Sequence, residues 1–156
     1  MPIYMQIIIN IVFSYIASVG FALTINVPHR ALNLAGVSGT VGWMVCWFIT
    51  KAQMGRMLSN LMGAFVIGIL GLFFARIKKC PVTVFNIPAL VPLVPGVPAY
   101  QAVRALVNGN VFDAEASFLR VGIVTCSIAL GILLATMFTE MFYRVKKFYK
   151  KRKIKL

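Results

Sequence analysis

Residues 81–100 read Pro81-Val-Thr-Val-Phe-Asn-Ile-Pro-Ala-Leu-Val-Pro-Leu-Val-Pro-Gly-Val-Pro-Ala-Tyr100, and the fold turns on how this stretch is read. It is apolar enough to enter a membrane, yet Pro88, Pro92, Pro95 and Pro98 fall within eleven residues. Each interior proline removes a backbone donor and crowds the preceding turn, at about 3 kcal/mol in an ordinary helix. A broken segment is therefore expected here. Irregular backbone at membrane depth is tolerated only when buried in protein or lining a wet cavity.

Outward from this stretch the chain is a series of apolar segments. They are expected at about residues 3–26, 31–50, 58–75, 81–100 and 116–142, each near the 20 residues that a bilayer core of roughly 30 Å requires. Of the 156 residues 60% are hydrophobic and 12% charged. A soluble domain is about 45–50% apolar with about a quarter of its residues charged. Lipid is therefore the main solvent, and the expected fold is an all-α integral membrane domain of about five transmembrane segments, the fourth proline-broken. Residues 1–143 form that domain and residues 144–156 a basic tail.

The net charge of +13 arises because Asp113, Glu115 and Glu140 are the only acids. Eight of the sixteen Lys and Arg residues lie between Arg144 and Lys155, directly after an apolar segment. That placement fits a cytoplasmic tail against anionic headgroups better than a nucleic-acid surface, since no separate domain accompanies it. Five crossings with the tail inside put Arg30, and then Arg76, Lys78 and Lys79, on the inner side, leaving Lys51, Arg56 and Arg104 outside. Four crossings would place the Arg76 cluster outside, against the positive-inside rule. The expectation is an external N-terminus and an internal C-terminus. A cleavable signal peptide is not expected, because no Lys or Arg precedes the first apolar run.

Small residues recur at spacing four: Ala35/Gly39, Ser38/Gly42, and Ser127/Gly131/Ala135, with Gly63, Gly68 and Gly71 on the third segment. Such faces let helix backbones approach closely in lipid. Trp43 and Trp47 suggest an interfacial depth. Asn108-Gly109-Asn110 signals a turn, and Glu140/Arg144 have the i,i+4 order of a helical ion pair.

Candidate functional residues fall in two groups. Asn86, Pro88, Pro92, Pro95, Gly96, Pro98, Tyr100 and Gln101 belong to the broken segment, where freed carbonyls and half-helix ends commonly bind substrates or ions. Asn26, Pro28, His29 and Arg30 lie at a membrane boundary, where gating or proton relay and a plain helix end are both open readings. Arg120 could meet a carboxylate substrate or only headgroups. The cysteines Cys46, Cys80 and Cys126 form no paired or metal-binding pattern. A lone His and three scattered acids assemble no hydrolytic or metal site, so enzyme chemistry and a cofactor are not expected.

The stretches Gly20-Phe-Ala-Leu-Thr-Ile-Asn-Val-Pro-His-Arg-Ala-Leu32 and Asn86 to Tyr100 resemble the threonine/serine exporter family, in particular its small stand-alone subunits. The resemblance covers nearly the whole chain. It implies secondary export of small polar metabolites driven by the proton motive force, with threonine, serine or a dicarboxylate such as succinate as substrate. It also implies a larger membrane partner subunit and a bacterial cytoplasmic membrane location. No carboxylate lies mid-membrane, which places any proton-coupling acid in the partner. A structural or assembly subunit and a homo-oligomeric channel are the alternatives. Arg30, Arg104 and Arg120 could serve the carboxylates of either substrate class, so the residues do not choose between them.

Overall fold

The computed structural model describes residues 2–153, with side chains through Tyr143. Six α-helices lie among the described residues: α1 Ile3–Thr24, α2 His29–Lys51, α3 Arg56–Lys78, α4 Thr83–Leu90, α5 Gly96–Val107 and α6 Val111–Lys153. A 3-10 turn, Val91–Leu93, joins α4 towards α5. The helices α1, α2, α3 and the part of α6 up to Tyr143 are each long and apolar enough to cross a membrane. The pair α4–α5 qualifies only as one unit bent by 59°.

The helices outrun the apolar segments. His29, Lys51, Arg56 and Lys78 are all helical, since long basic side chains can snorkel to the headgroups while their backbone stays in the ladder. Helix α5 continues past Tyr100 because residues 101–107 are helix formers with no proline, and it stops at the expected turn, where Gly109 takes a φ of 77°. Helix α6 begins at Val111, with Asp113 in its first turn near the positive end of the helix dipole. The expected Glu140/Arg144 pair rests on Arg144, which lies outside the described side chains, as do the charges of the tail.

Small residues set the packing. Gly42 lies against Ile67 and the backbone of Gly63, joining α2 to α3. Gly68 meets Ala135, and Gly131 meets Leu61, Ala64 and Phe65, joining α3 to α6. Ser127, Gly131 and Ala135 are all buried on that seam.

These pairings fix the direction of the broken segment. Along α3 the residues 61–65, 68 and 76 meet 131, 135 and 143 of α6 in the same order, the last through the Arg76 guanidinium stacked on the Tyr143 ring at 3.1 Å. The two helices therefore run parallel. Helix α4 runs the other way: Asn86 meets Gly71, and Leu93 meets Gly63. Between Lys78 and Val111 the chain must pass from one end of the bundle to the other. The bent pair α4–α5 carries out that passage, and the chain makes five passes in all.

The break itself follows from its prolines. Pro88 lies inside α4, and the Val91 amide donates to the Pro88 carbonyl, tightening the chain into the 3-10 turn that contains Pro92. Pro95 precedes α5 with a φ of -77° and ψ of 59°, outside helical geometry. Beyond it α5 leaves the bundle and packs mainly on the start of α6, with Ala102 and Ala114 buried. Gly131 is level with residues 61–65, so α6 overshoots the start of α3 by roughly three turns at about 1.5 Å per residue. Together α5 and that overshoot form a projecting helical arm.

Candidate functional site

On α1, Gln6, Asn10, Ser14 and Ser18 recur at spacing four and so share one face. The Asn10 amide donates to the Gln6 carbonyl at 2.7 Å, and the Ser14 hydroxyl to the Asn10 carbonyl at 2.6 Å. The Trp43 indole N–H of α2 donates to Asn10 Oδ1 at 2.8 Å. Trp43 is thus an interior residue, not the interfacial anchor its position suggested, because an amide acceptor on α1 holds its one polar atom. Trp47 does lie near the helix end, where the Lys51 ammonium sits 5.3 Å from its ring.

Asn10, Ser14 and Trp43 line a cavity of about 230 Å³ with Ile9, Phe13, Ala17 and Pro92. The 3-10 turn of the broken segment thus forms one wall of a largely apolar groove that opens on the α1 face of the bundle, where Ile9 and Phe13 are exposed. One turn further along α1, the cavity is closed where Ser18, Gly39 of α2 and Ala89 of α4 meet. A Cβ at Gly39 would collide with the Ser18 hydroxyl and stand 3.1 Å from the Ala89 backbone.

At this same level, among the described residues, three buried oxygens have no hydrogen-bond partner: Ser18 Oγ, Ser38 Oγ and Asn86 Oδ1. Ser38 adjoins Gly39 on α2, and Asn86 is three residues before Ala89 on α4, packed against Gly71 of α3. Along their helices Ser38 and Asn86 are thus within about one turn of residues at the closure, with Asn86 Oδ1 directed at Gly71.

Of the broken-segment candidates, Asn86, Pro88 and Pro92 lie inside the bundle, with Pro88 buried. Pro95, Gly96 and Pro98 form the bend and the first turn of α5, while Tyr100 and Gln101 are exposed on the arm. Asn26 closes α1 at a φ of 55°, and Pro28 precedes α2 with its ring-fixed φ of -54°. His29 and Arg30 are exposed at the end of the bundle where α4 begins, since Val27 and Ala31 cluster with Phe85, Cys80 and Val82. Arg120 is exposed on the overshooting part of α6, remote from that end. The structure therefore sets Asn86, Pro88 and Pro92 along one stretch of the bundle, with Pro92 alone of the three lining the cavity, and leaves Arg30 and Arg120 at opposite ends. Sequence reasoning passed over Asn10, Ser14 and Ser18, for which the spacing of four along the first apolar segment was the available signal, and took Ser38 only as a small packing residue.

Among the described residues no group of His, Cys, Asp and Glu could hold a metal ion. No solved structure matches the chain. A protein of Haemophilus influenzae whose function is uncharacterized is 26% identical over 150 residues, covering 91% of this chain and 50% of the relative. The chain thus spans about half the length of that curated relative. The family described as Threonine/Serine exporter, ThrE, matches residues 10–138, a span that contains α2, α3, α4, α5 and most of α1. This multi-pass helical membrane protein belongs to the threonine/serine exporter family.

Proposed function

We propose that this chain is one subunit of a secondary transporter that exports small polar metabolites across a bacterial cytoplasmic membrane. The substrates are threonine and serine or a dicarboxylate such as succinate, moved at the expense of the proton motive force. The observation that carries this reading is the proline-broken α4–α5 pair, which crosses the bundle beside a cavity walled by Pro92, Asn10 and Ser14. A segment that merely filled space would gain stability from a regular helix; a discontinuous one supplies polar backbone and a bend to a path. The N-terminus lies outside and the tail inside, which keeps Arg30, Arg76, Lys78 and Lys79 on the cytoplasmic side.

The partner is a larger membrane subunit of the same family. Its docking surface is the arm, where Val97, Tyr100, Val107, Phe112 and Leu119 are each more than 60% exposed. Similar exposure occurs on α1, at Tyr4 and Phe13, and the arm is set apart by projecting beyond the bundle.

The test is flux into proteoliposomes containing both subunits, with cysteines placed singly from Asn86 to Tyr100. Positions facing the path should react with small aqueous thiol reagents and be protected by threonine or succinate, whichever is transported. Uniform inertness would refute the path. A second reading, an assembly subunit that transports nothing, is favoured by the small-residue seams of α2, α3 and α6. Gly96→Ala separates the two, because a Cβ there meets nothing within 4 Å and leaves packing alone. Loss of flux with the complex intact supports the transporter. Flux from this subunit alone would instead indicate a homo-oligomeric channel.

A further inference from the structure

Hydroxyls inside helices often bond the carbonyl one turn back, and most of the buried hydroxyls among the described residues do so. Ser14, Ser59 and Ser127 do so, as do Thr24, Thr40, Thr50 and Thr139. Ser18 and Ser38 are fully buried and do not. Asn86 Oδ1 shares their condition at the same depth. A buried polar group without a partner is destabilising and requires an explanation. Alanine would leave no unmet hydrogen bond at either position, although the Ser18 hydroxyl also fills the space against Gly39.

We propose that Ser18, Ser38 and Asn86 form a contact belt for the hydrogen-bonding end of the transported metabolite, closed in this structure; the assignment rests on the transporter reading above. The ligand chemistry is a small hydroxyl-, amino- or carboxyl-bearing group. A hydroxyl can accept from the serine hydroxyls and donate to the Asn86 carbonyl oxygen, a carboxylate can only accept from the serines, and an ammonium can only donate to Ser18, Ser38 or Asn86 oxygens. The cavity beside Pro92 is the antechamber, ending one turn from Ser18. Gly39 is the closing contact, where α1, α2 and α4 touch. A shift of α4 away from that contact joins the belt to the cavity. That opening must also free Asn86 Oδ1 from its seat against Gly71 of α3 and Ser18 Oγ from Gly39 of α2.

The belt makes a prediction that a structural role does not. Ser18→Ala, Ser38→Ala and the double variant remove unmet hydroxyls, so the melting temperature of the purified complex should hold or rise. Uptake of labelled threonine, serine and succinate by proteoliposomes containing both subunits is then measured. For the substrate that wild type carries, each variant should raise the half-saturating concentration by about 2- to 13-fold, the value of one hydrogen bond. Asn86→Ala should do the same. Unchanged half-saturation in all of these variants would overturn the belt while leaving the transporter reading intact. A fall in melting temperature that tracks the loss of uptake would also overturn it, by showing a packing role. Wild-type vesicles that carry none of the three substrates would defeat the transporter reading itself, and the belt with it.

Discussion

Two glycines on α6 separate packing from propensity on a single helix. A Cβ at Gly131 would crowd the Leu61 carbonyl, stand 2.9 Å from Ala64 Cβ and 3.1 Å from the Phe65 amide nitrogen. Two of these three neighbours are backbone, which cannot rotate aside, so α3 and α6 must separate. Overpacking of this kind costs about 1–3 kcal/mol. A Cβ at Gly122 meets nothing within 4 Å. There the substitution gains only helix propensity, about 0.5–1 kcal/mol. Gly131→Ala gains the same propensity, so the two variants should differ by the overpacking cost alone, about 1–3 kcal/mol, with Gly131→Ala the less stable. Unfolding of the purified protein in mixed micelles, titrated with a denaturing detergent and followed by circular dichroism, measures both. Equal stabilities for the two variants would refute the α3–α6 seam, and with it the parallel arrangement that makes the broken segment a crossing.

Trp43→Phe keeps an aromatic ring but removes the donor to Asn10 Oδ1, and should cost about 1–2 kcal/mol in the same titration; Asn10→Ala added to the Trp43→Phe variant should cost little more. Asn26→Gly relieves a left-handed residue at the end of α1 and should be neutral or stabilising by up to about 1 kcal/mol, whereas Asn26→Val should destabilise. Tyr143→Leu removes the ring beneath Arg76, where the two helices meet at their far ends, and should cost about 0.5–1 kcal/mol.

Much of the fold is legible in the residues because membrane crossing is a matter of length and apolarity. The charge clusters at Arg30 and at Arg76 to Lys79 bound the segments, and the four prolines from Pro88 to Pro98 mark the break. The small-residue spacings name the seams correctly, since a glycine on a helix face is an invitation to a neighbouring backbone. What the residues could not tell is which seam meets which. Gly71 facing Asn86, and Gly131 facing Ala64, are facts of three-dimensional pairing with no local signature. The arm was hidden for a different reason: residues 101–107 look like a polar loop beside the apolar segments, but they are ordinary helix formers once α6 offers Ala114 as a surface. Trp43 misled because indole favours membrane interfaces in general, and its partner Asn10 lies 33 residues away. Ser18 passed unnoticed and Ser38 was read only as a small packing residue, because a serine in an apolar run usually bonds its own helix; only the fold reveals that these two do not.

The central claim is that the broken segment crosses the membrane, and sidedness tests it most directly. In a cysteine-free background, Lys79→Cys and Asn108→Cys place one thiol on each side of α4–α5, both at exposed positions. Intact cells are treated with a membrane-impermeant maleimide. Labelling of residue 108 but of residue 79 only after lysis is the predicted result. Labelling of both positions from the same side would mean that α4–α5 returns to its starting face, and would contradict the crossing.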